Sequence, residues 1–115
     1  MAIGVAKGVN VGRPDIAGLA NQTLTLMQST AIVAPEDVEV DTRWIGDDYA
    51  VPTEAGDAAV RWAARHGGWL LDRTYSGKGC SGLLGLAAEH RFGSDVVFIH
   101  TGGWPALFAP DGVPA

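Results

Sequence analysis

Residues 95–99 (DVVFI) form the segment that most limits what this chain can fold into. The segment is nearly continuously apolar, which is typical of a strand buried on both faces of a parallel sheet. It runs directly into His100, Thr101, Gly102 and Gly103, where two glycines predict a tight turn at the strand end. Because parallel strands are joined by crossover helices, the segment predicts an α/β fold.

Strand and helix signals alternate along the rest of the chain, which predicts a layered parallel sheet with flanking helices. Thr53 is a favoured N-cap residue, and Gly67 is expected to end the helix that follows it. The predicted elements are a strand over residues 2–6, a helix from Pro14 that ends before Pro35, a strand over residues 37–44, a helix after Thr53, and a helix from the turn at residues 75–79 to about Arg91.

Two of these helices carry an apolar face that we expect to be buried. The first face comprises Ile16, Leu19, Thr23 and Leu26, widened by Ala20, Leu24 and Met27. The second comprises Ala55, Ala59, Trp62 and Ala63. With 115 residues, the chain is expected to form a single domain over residues 1–115.

The charge content excludes some classes of function. The chain has a net charge of -5, and 18% of its residues are charged, so it has no basic surface for nucleic acid. Eight of the thirteen acidic residues lie between Glu36 and Asp57, with Arg43 as the only base among them. This stretch predicts a solvated surface rather than a metal site. A single cysteine excludes an internal disulfide.

Hydropathy predicts no membrane association. No apolar run approaches the ~20 residues that cross a bilayer, and the first residues do not have the pattern of a signal peptide. We therefore expect a cytoplasmic protein without a membrane partner.

Two glycine-containing loops follow predicted strands, at the sheet edge where α/β proteins bind ligands. The loop at residues 72–82 offers backbone N–H groups at a helix N-terminus, with Lys78 as an added cation, which suits an anion. Its spacing is not that of a P-loop. In the loop at residues 100–105, Thr101 presents a hydroxyl at the strand end. The alternative for each loop is a plain connecting turn.

Three blocks of sequence carry a resemblance to a known family. They are DDYAVPTEAGDAAVRWAARHGG (residues 47–68), LLDRTYSGKGCSGLLGL (residues 70–86) and VVFIHTGGWPALFA (residues 96–109). In order and spacing they resemble the C-terminal portion of the D-cysteine desulfhydrase and 1-aminocyclopropane-1-carboxylate deaminase family, best matched over residues 40–109. The resemblance implies a tryptophan synthase β-like fold, pyridoxal phosphate as cofactor and a small amino acid as substrate.

The resemblance also implies which residues form the site. The family residues that align with Tyr49 and Tyr75 lie at the active site, which implies catalytic roles. Those that align with Ser76 and Thr101 lie near the pyridine nitrogen of the cofactor, and Gly102 belongs to the same cofactor-binding turn. At the position of Ser76, the deaminases have glutamate and the desulfhydrases have threonine.

This difference separates two activities. A carboxylate beside the pyridine nitrogen favours its protonated form and a strong electron sink, whereas a hydroxyl does not. The sequence therefore favours a D-cysteine desulfhydrase-like lyase, which performs β-elimination to give pyruvate, ammonia and sulfide. The alternative is the deaminase of the same family, which opens a cyclopropane amino acid to 2-oxobutanoate.

The Schiff-base lysine and the phosphate-binding loop of the family have no match in this chain. Its two lysines are Lys7, in a poorly matched region, and Lys78, which aligns with a framework lysine. A pyridoxal phosphate lyase needs a reactive lysine and groups that hold the phosphate. We therefore expect a fragment that is inactive alone, and that forms a homodimer or pairs with the missing N-terminal part. The remaining alternative is a non-catalytic α/β binding module or a subunit of a split enzyme.

Three further residues have both a chemical and a structural interpretation. Cys80 lies near a helix N-terminus, where a thiolate would be favoured, but a packing role is the stronger prediction. His66 is expected to complement a helix C-terminus. His100 is expected to be a structural histidine rather than a proton carrier.

Overall fold

A computed structural model describes residues 1–6 and 12–114, and these ranges contain three helices and two short strands. Lys7 lies outside the described residues. In chain order the elements are β1 (Ala2–Ile3), α1 (Arg13–Leu26), a 3-10 helix (Pro35–Asp37), β2 (Val40–Asp41), α2 (Glu54–Gly67), α3 (Ser76–Ala88) and a second 3-10 helix (Trp104–Phe108).

Strands β1 and β2 pair in parallel, with Ala2 opposite Val40 and Ile3 opposite Asp41. The backbone N–H of Ala2 donates to the carbonyl of Glu39 over 2.7 Å. The mixed helix and sheet content and the parallel pairing agree with the α/β prediction. Each strand is shorter than predicted, because the regular ladder extends over two residues only.

Helices α2 and α3 pack together and form the core of the described chain. The Thr53 hydroxyl accepts a hydrogen bond from the N–H of Gly56 over 3.0 Å, which confirms the predicted N-cap. Gly68, with a φ of 65°, caps the other end. The buried core residues are Ala59, Val60, Ala63, Leu71 and Cys80. The predicted face of α2 was therefore correct except for Ala55, which is exposed.

Gly77 allows the close contact between these helices. A Cβ atom at this position would lie 2.6 Å from the carbonyl oxygen of Asp72 and 2.7 Å from the Val60 side chain. The start of α3 can therefore approach α2 only because residue 77 has no side chain.

The prediction that α1 buries its apolar face was wrong for most of that face, because only Ile16, Ala20 and Leu24 are half-buried. Leu19, Leu26 and Met27 are 66%, 86% and 70% exposed, and Ala17 is the buried residue of this helix. The main neighbour of α1 is the 3-10 helix Pro35–Asp37. Three residues are too few to cover a helix face of four turns, so the apolar pattern has no matching surface among the described elements.

The prediction of a buried strand over residues 95–99 was also wrong. The segment has no strand partner within the described ranges, and Val97 and Ile99 are 87% and 78% exposed. Phe98 points the other way and packs against the α2–α3 core. This alternation is that of an extended chain with one face covered. The sheet of the described residues consists of β1 and β2.

Candidate functional site

A cavity of about 910 Å³ lies between the N-terminal strand, the start of α3 and the extended segment that ends in the glycine turn. Its wall brings together four of the predicted site residues: Tyr75, Ser76, Thr101 and Gly102. Much of the remaining wall is apolar, with Ile3 on one side and Phe98 on another. A largely apolar cavity with a few polar groups is typical of a small-molecule site.

Tyr49, the fifth predicted residue, reaches the site through Tyr75. The two hydroxyl groups form a hydrogen bond, and the ring centroids lie 5.9 Å apart with the planes inclined by 57°. The hydrogen bond with Tyr49 raises the pKa of Tyr75, and burial and the nearby charge of Asp72 act in the same direction. Tyr75 therefore keeps its proton at neutral pH and is suited to donate a hydrogen bond.

Asp72, the first residue of the loop at residues 72–82, is fully buried. Its Oδ2 accepts hydrogen bonds from the backbone N–H groups of Thr74 and Tyr75, each over 2.8 Å. Its Oδ1 accepts from the N–H and the hydroxyl of Ser76, over 2.9 Å and 2.6 Å. Burial is the largest single effect and favours the neutral acid, but the hydrogen bonds together lower the pKa of Asp72.

Ser76 uses its hydroxyl proton in this network. An ionised carboxylate can only accept, so the 2.6 Å contact with Asp72 Oδ1 requires the Ser76 hydroxyl to donate. The same oxygen accepts from the backbone N–H of Asp72 over 2.8 Å. The Thr101 hydroxyl, by contrast, makes no hydrogen bond to any residue of the described ranges. Of the Ser76 and Thr101 hydroxyls on the cavity wall, Thr101 is thus the one whose proton is not held by another described residue.

Gly103 brings the second loop against the first. Its φ is 104°, and a Cβ atom there would lie 2.3 Å from Asp72 Oδ1. The preceding Gly102 also has a positive φ, of 106°, but a Cβ atom at that position would meet nothing within 4 Å. The paired glycines therefore have different roles: both permit the turn, and Gly103 also permits contact with the Asp72 carboxylate.

His100 fixes the same turn from the other side. Its Nδ1 accepts a hydrogen bond from the N–H of Gly102 over 3.1 Å, and Nε2 lies 2.9 Å from the carbonyl oxygen of Leu70. These two partners require the neutral tautomer with its proton on Nε2. The structural interpretation of His100 is therefore the one that the geometry supports.

Lys78 is fully buried and does not line the cavity. Its Nζ donates to the carbonyl oxygens of Ile45 and Asp48, over 2.7 Å and 3.2 Å. Burial lowers the pKa of Lys78, and the charges of Asp48 and Asp47 oppose this effect. The amine is committed to backbone carbonyls, so Lys78 is a structural residue.

The resemblance assigns Thr101 and the glycine turn to the ring-nitrogen edge of pyridoxal phosphate, and these residues lie on the cavity wall. Within residues 1–6 and 12–114, no lysine lines the cavity. The donor set of the described residues therefore does not fit a complete pyridoxal phosphate site.

The other residues considered as chemical candidates have structural partners. Cys80 is fully buried, and burial raises the pKa of its thiol, so it is a packing residue. His66 Nδ1 contacts the carbonyl oxygen of Trp62 near the end of α2.

The predicted acidic surface takes part in ion pairs. Hydrogen bonds from Arg43 lower the pKa of Asp41 to about 2, and Asp57 pairs with Arg73 over 2.7 Å. Among the described residues, no group of three or more histidine, cysteine or acidic side chains is placed to hold a metal. In the same ranges, none of the helices has the length and hydrophobicity that a bilayer crossing requires.

Sequence reasoning missed Asp72 and the binding partners of Lys78. The signal for Asp72 was present, because an acidic residue just before a helix start is placed to accept from free N–H groups. No local pattern could show that Lys78 reaches a loop thirty residues away.

The chain has an α/β structure and a candidate small-molecule site, which is the cavity lined by Tyr75, Ser76 and Thr101. Curated D-cysteine desulfhydrases from Salmonella typhi, Salmonella paratyphi C and Salmonella newport are each 38% identical to the chain over 108 residues. The match covers 89% of the chain and 33% of each relative, so the chain spans about a third of their length. No family model matches. The chain is thus homologous to D-cysteine desulfhydrases, as the three blocks predicted.

Proposed function

We propose that this chain supplies one wall of the active site of a D-cysteine desulfhydrase-like, pyridoxal phosphate-dependent lyase. The parent reaction would be β-elimination from D-cysteine, giving pyruvate, ammonia and sulfide. One observation carries the proposal: Tyr75, Ser76 and Thr101, which belong to two loops and which the resemblance assigns to the site, line a single cavity. The homology to desulfhydrases supports the choice of reaction.

Thr101 is the residue that we assign to the ring nitrogen. When bound, pyridoxal phosphate supplies an electron sink for the substrate. Thr101 can offer a hydrogen bond without a negative charge, whereas the proton of the Ser76 hydroxyl is held by Asp72. The Asp72 carboxylate accepts four hydrogen bonds and is not part of the cavity wall. This environment favours the desulfhydrase over the deaminase.

The tyrosine pair would bind and orient the substrate. Tyr75 lies on the cavity wall, and its hydroxyl is paired with that of Tyr49. Because its pKa is raised, Tyr75 holds a proton on its oxygen at neutral pH. With Tyr49 as the donor in the shared hydrogen bond, the Tyr75 proton would be directed to a substrate oxygen.

The chain would not perform the reaction alone. Lys78 is buried and bonded to carbonyl oxygens, so we assign the reactive lysine to another polypeptide segment. The exposed side chains of Val97 and Ile99 support pairing with such a segment or with a second copy of this chain. The cellular setting that we propose is the cytoplasm.

A second candidate function is a non-catalytic binding module or a subunit of a split enzyme. The incomplete donor set around the cavity favours it. It differs from the first proposal in one respect, because a module would not restore activity to an otherwise complete desulfhydrase.

A chimera tests the proposal. Residues 1–115 replace the aligned segment of the Salmonella typhi desulfhydrase, and sulfide release from D-cysteine is measured. Tyr75→Phe is expected to slow the chimera about 10- to 100-fold, as for a lost hydrogen bond to a charged group. Thr101→Val is expected to slow it by a smaller factor. The control is Val113→Ala, at an exposed position away from the cavity. Equal rates for Tyr75→Phe and the control would overturn the assignment of the tyrosine.

A further inference from the structure

We propose that Lys78 is the positioning residue of the Tyr49–Tyr75 pair, because it ties the turn at residues 45–48 to the first turn of α3. Its importance for catalysis rests on the proposed function. The positioning itself does not, and it is measured on the free chain.

The ammonium group lies inside the turn that precedes Tyr49. Lys78 is fully buried, and Nζ donates to the carbonyl oxygens of Ile45 and Asp48. It forms no ion pair with a carboxylate of the described residues. Gly46, between the two acceptors, has a φ of 78°, and a Cβ atom there would lie 2.4 Å from the Thr53 side chain. The turn is thus closely packed on both sides.

The same lysine is connected to each tyrosine through a neighbouring part of the chain. Asp48, which accepts from Nζ, immediately precedes Tyr49, and its Oδ1 accepts from the N–H of Tyr49 over 2.7 Å. On the other side, Lys78 follows Tyr75 by three residues at the start of α3. The distance between the two phenol groups therefore depends on a lysine that contacts neither ring.

The residue type suits this role. A lysine has three rotatable donors on a long stem, so it can reach two carbonyl oxygens that do not lie in one plane. Burying a cation is costly, and the charges of Asp48 and Asp47 offset that cost only in part, which is difficult to explain if residue 78 served only to fill space. Methionine would fill similar space without that cost, but it would remove the donor to the Ile45 carbonyl and leave the Asp48 carbonyl with only the N–H of Val51, over 3.4 Å.

The chain contains only two tyrosines and two lysines, which makes the test specific. Ultraviolet titration of the phenol groups in the free chain reports on Tyr49 and Tyr75 alone. Tyr49→Phe gives the titration of Tyr75 without its partner, and this curve is the benchmark. The groups that face Tyr75 are Tyr49 and Asp72, and Asp72 is unchanged in every variant.

We expect Lys78→Met to move the Tyr75 titration to lower pH, towards the Tyr49→Phe curve. Lys7→Met, which removes the other lysine, is expected to match the wild type. A Lys78→Met variant that is folded by circular dichroism and titrates as the wild type would overturn the proposal.

A second variant covers the case in which Lys78→Met does not fold. Gly46→Ala leaves Lys78 and both tyrosines in place but forces the turn to shift, because of the Thr53 contact. The same downward movement of the Tyr75 titration is expected. An unchanged titration in folded Gly46→Ala would contradict the claim that this turn sets the pair. Failure of the chimera to release sulfide would leave these results unaffected, so the two proposals fail separately.

Discussion

Asp72 and the hydroxyl of Ser76 exchange two hydrogen bonds, one through the buried Asp72 carboxylate and one through the Asp72 backbone N–H. Ser76 Oγ donates to Asp72 Oδ1 over 2.6 Å and accepts from the Asp72 N–H over 2.8 Å. Together with the N–H groups of Thr74 and Tyr75, this pair organises the start of α3. The predicted cofactor-binding serine is therefore also part of the framework of the site.

Asp72→Asn is expected to destabilise the fold by about 2 kcal/mol, the usual contribution of hydrogen bonds to a charged group. The amide nitrogen of asparagine cannot accept from the N–H groups that bind the carboxylate. Urea denaturation at pH 7 measures the change. A loss below about 0.5 kcal/mol would contradict the role assigned to the carboxylate.

The same substitution is expected to change the acid stability of the chain. The pKa of Asp72 is lower in the folded chain than the ordinary value of 3.8. The carboxylate therefore stabilises the fold at a pH above its unfolded pKa, and this contribution is lost as the pH falls through the folded pKa. Below about pH 5, the free energy of unfolding of the wild type should fall more steeply with decreasing pH than that of Asp72→Asn. Parallel curves would contradict this expectation.

Gly103→Ala is expected to destabilise the chain more than Gly102→Ala. Both positions have a positive φ, which costs an alanine about 1–2 kcal/mol. Only the alanine at position 103 would also meet Asp72 Oδ1, at 2.3 Å. Because the backbone term is common to both variants, the difference in denaturation midpoint reports the contact between the loops. Equal effects would mean that the Gly103–Asp72 approach contributes nothing.

These positions illustrate what the sequence could and could not predict. Thr53 and Gly68 mark the ends of α2 by local chemistry. The two loops chosen by the strand-end rule line one cavity, although neither follows a strand of the described sheet. Val97 and Ile99 were expected to be buried because they are apolar. A pattern gives the hydrophobicity of a segment but not the surface that covers it, and that surface is missing from the described elements. Lys78 acts over a long sequence separation, which no local rule detects.

Lys78 is expected to remain unmodified by pyridoxal phosphate. Its amine is fully buried and bonded to two carbonyl oxygens. The measurement is incubation of the 115-residue chain with pyridoxal phosphate, borohydride reduction and peptide mass spectrometry. A stoichiometric adduct on Lys78 would show that the lysine can reach the cofactor and would contradict the need for a second segment.

Val97→Lys is expected to weaken self-association of the chain, because it places a charge on an exposed apolar edge. Leu26→Lys, at an equally exposed position on α1, is the matched control. Sedimentation velocity over a range of concentrations measures both. If Leu26→Lys dissociates the chain and Val97→Lys does not, the edge at residues 95–99 is not the site of association.

Sulfide release from D-cysteine by the chimera described above tests the central claim most directly. We expect the chimera, loaded with pyridoxal phosphate, to release sulfide and pyruvate in equal amounts. We expect it not to convert 1-aminocyclopropane-1-carboxylate. A folded and loaded chimera that forms 2-oxobutanoate without sulfide would assign the chain to a deaminase. One that acts on neither substrate would contradict the proposal that residues 1–115 supply a wall of a desulfhydrase active site.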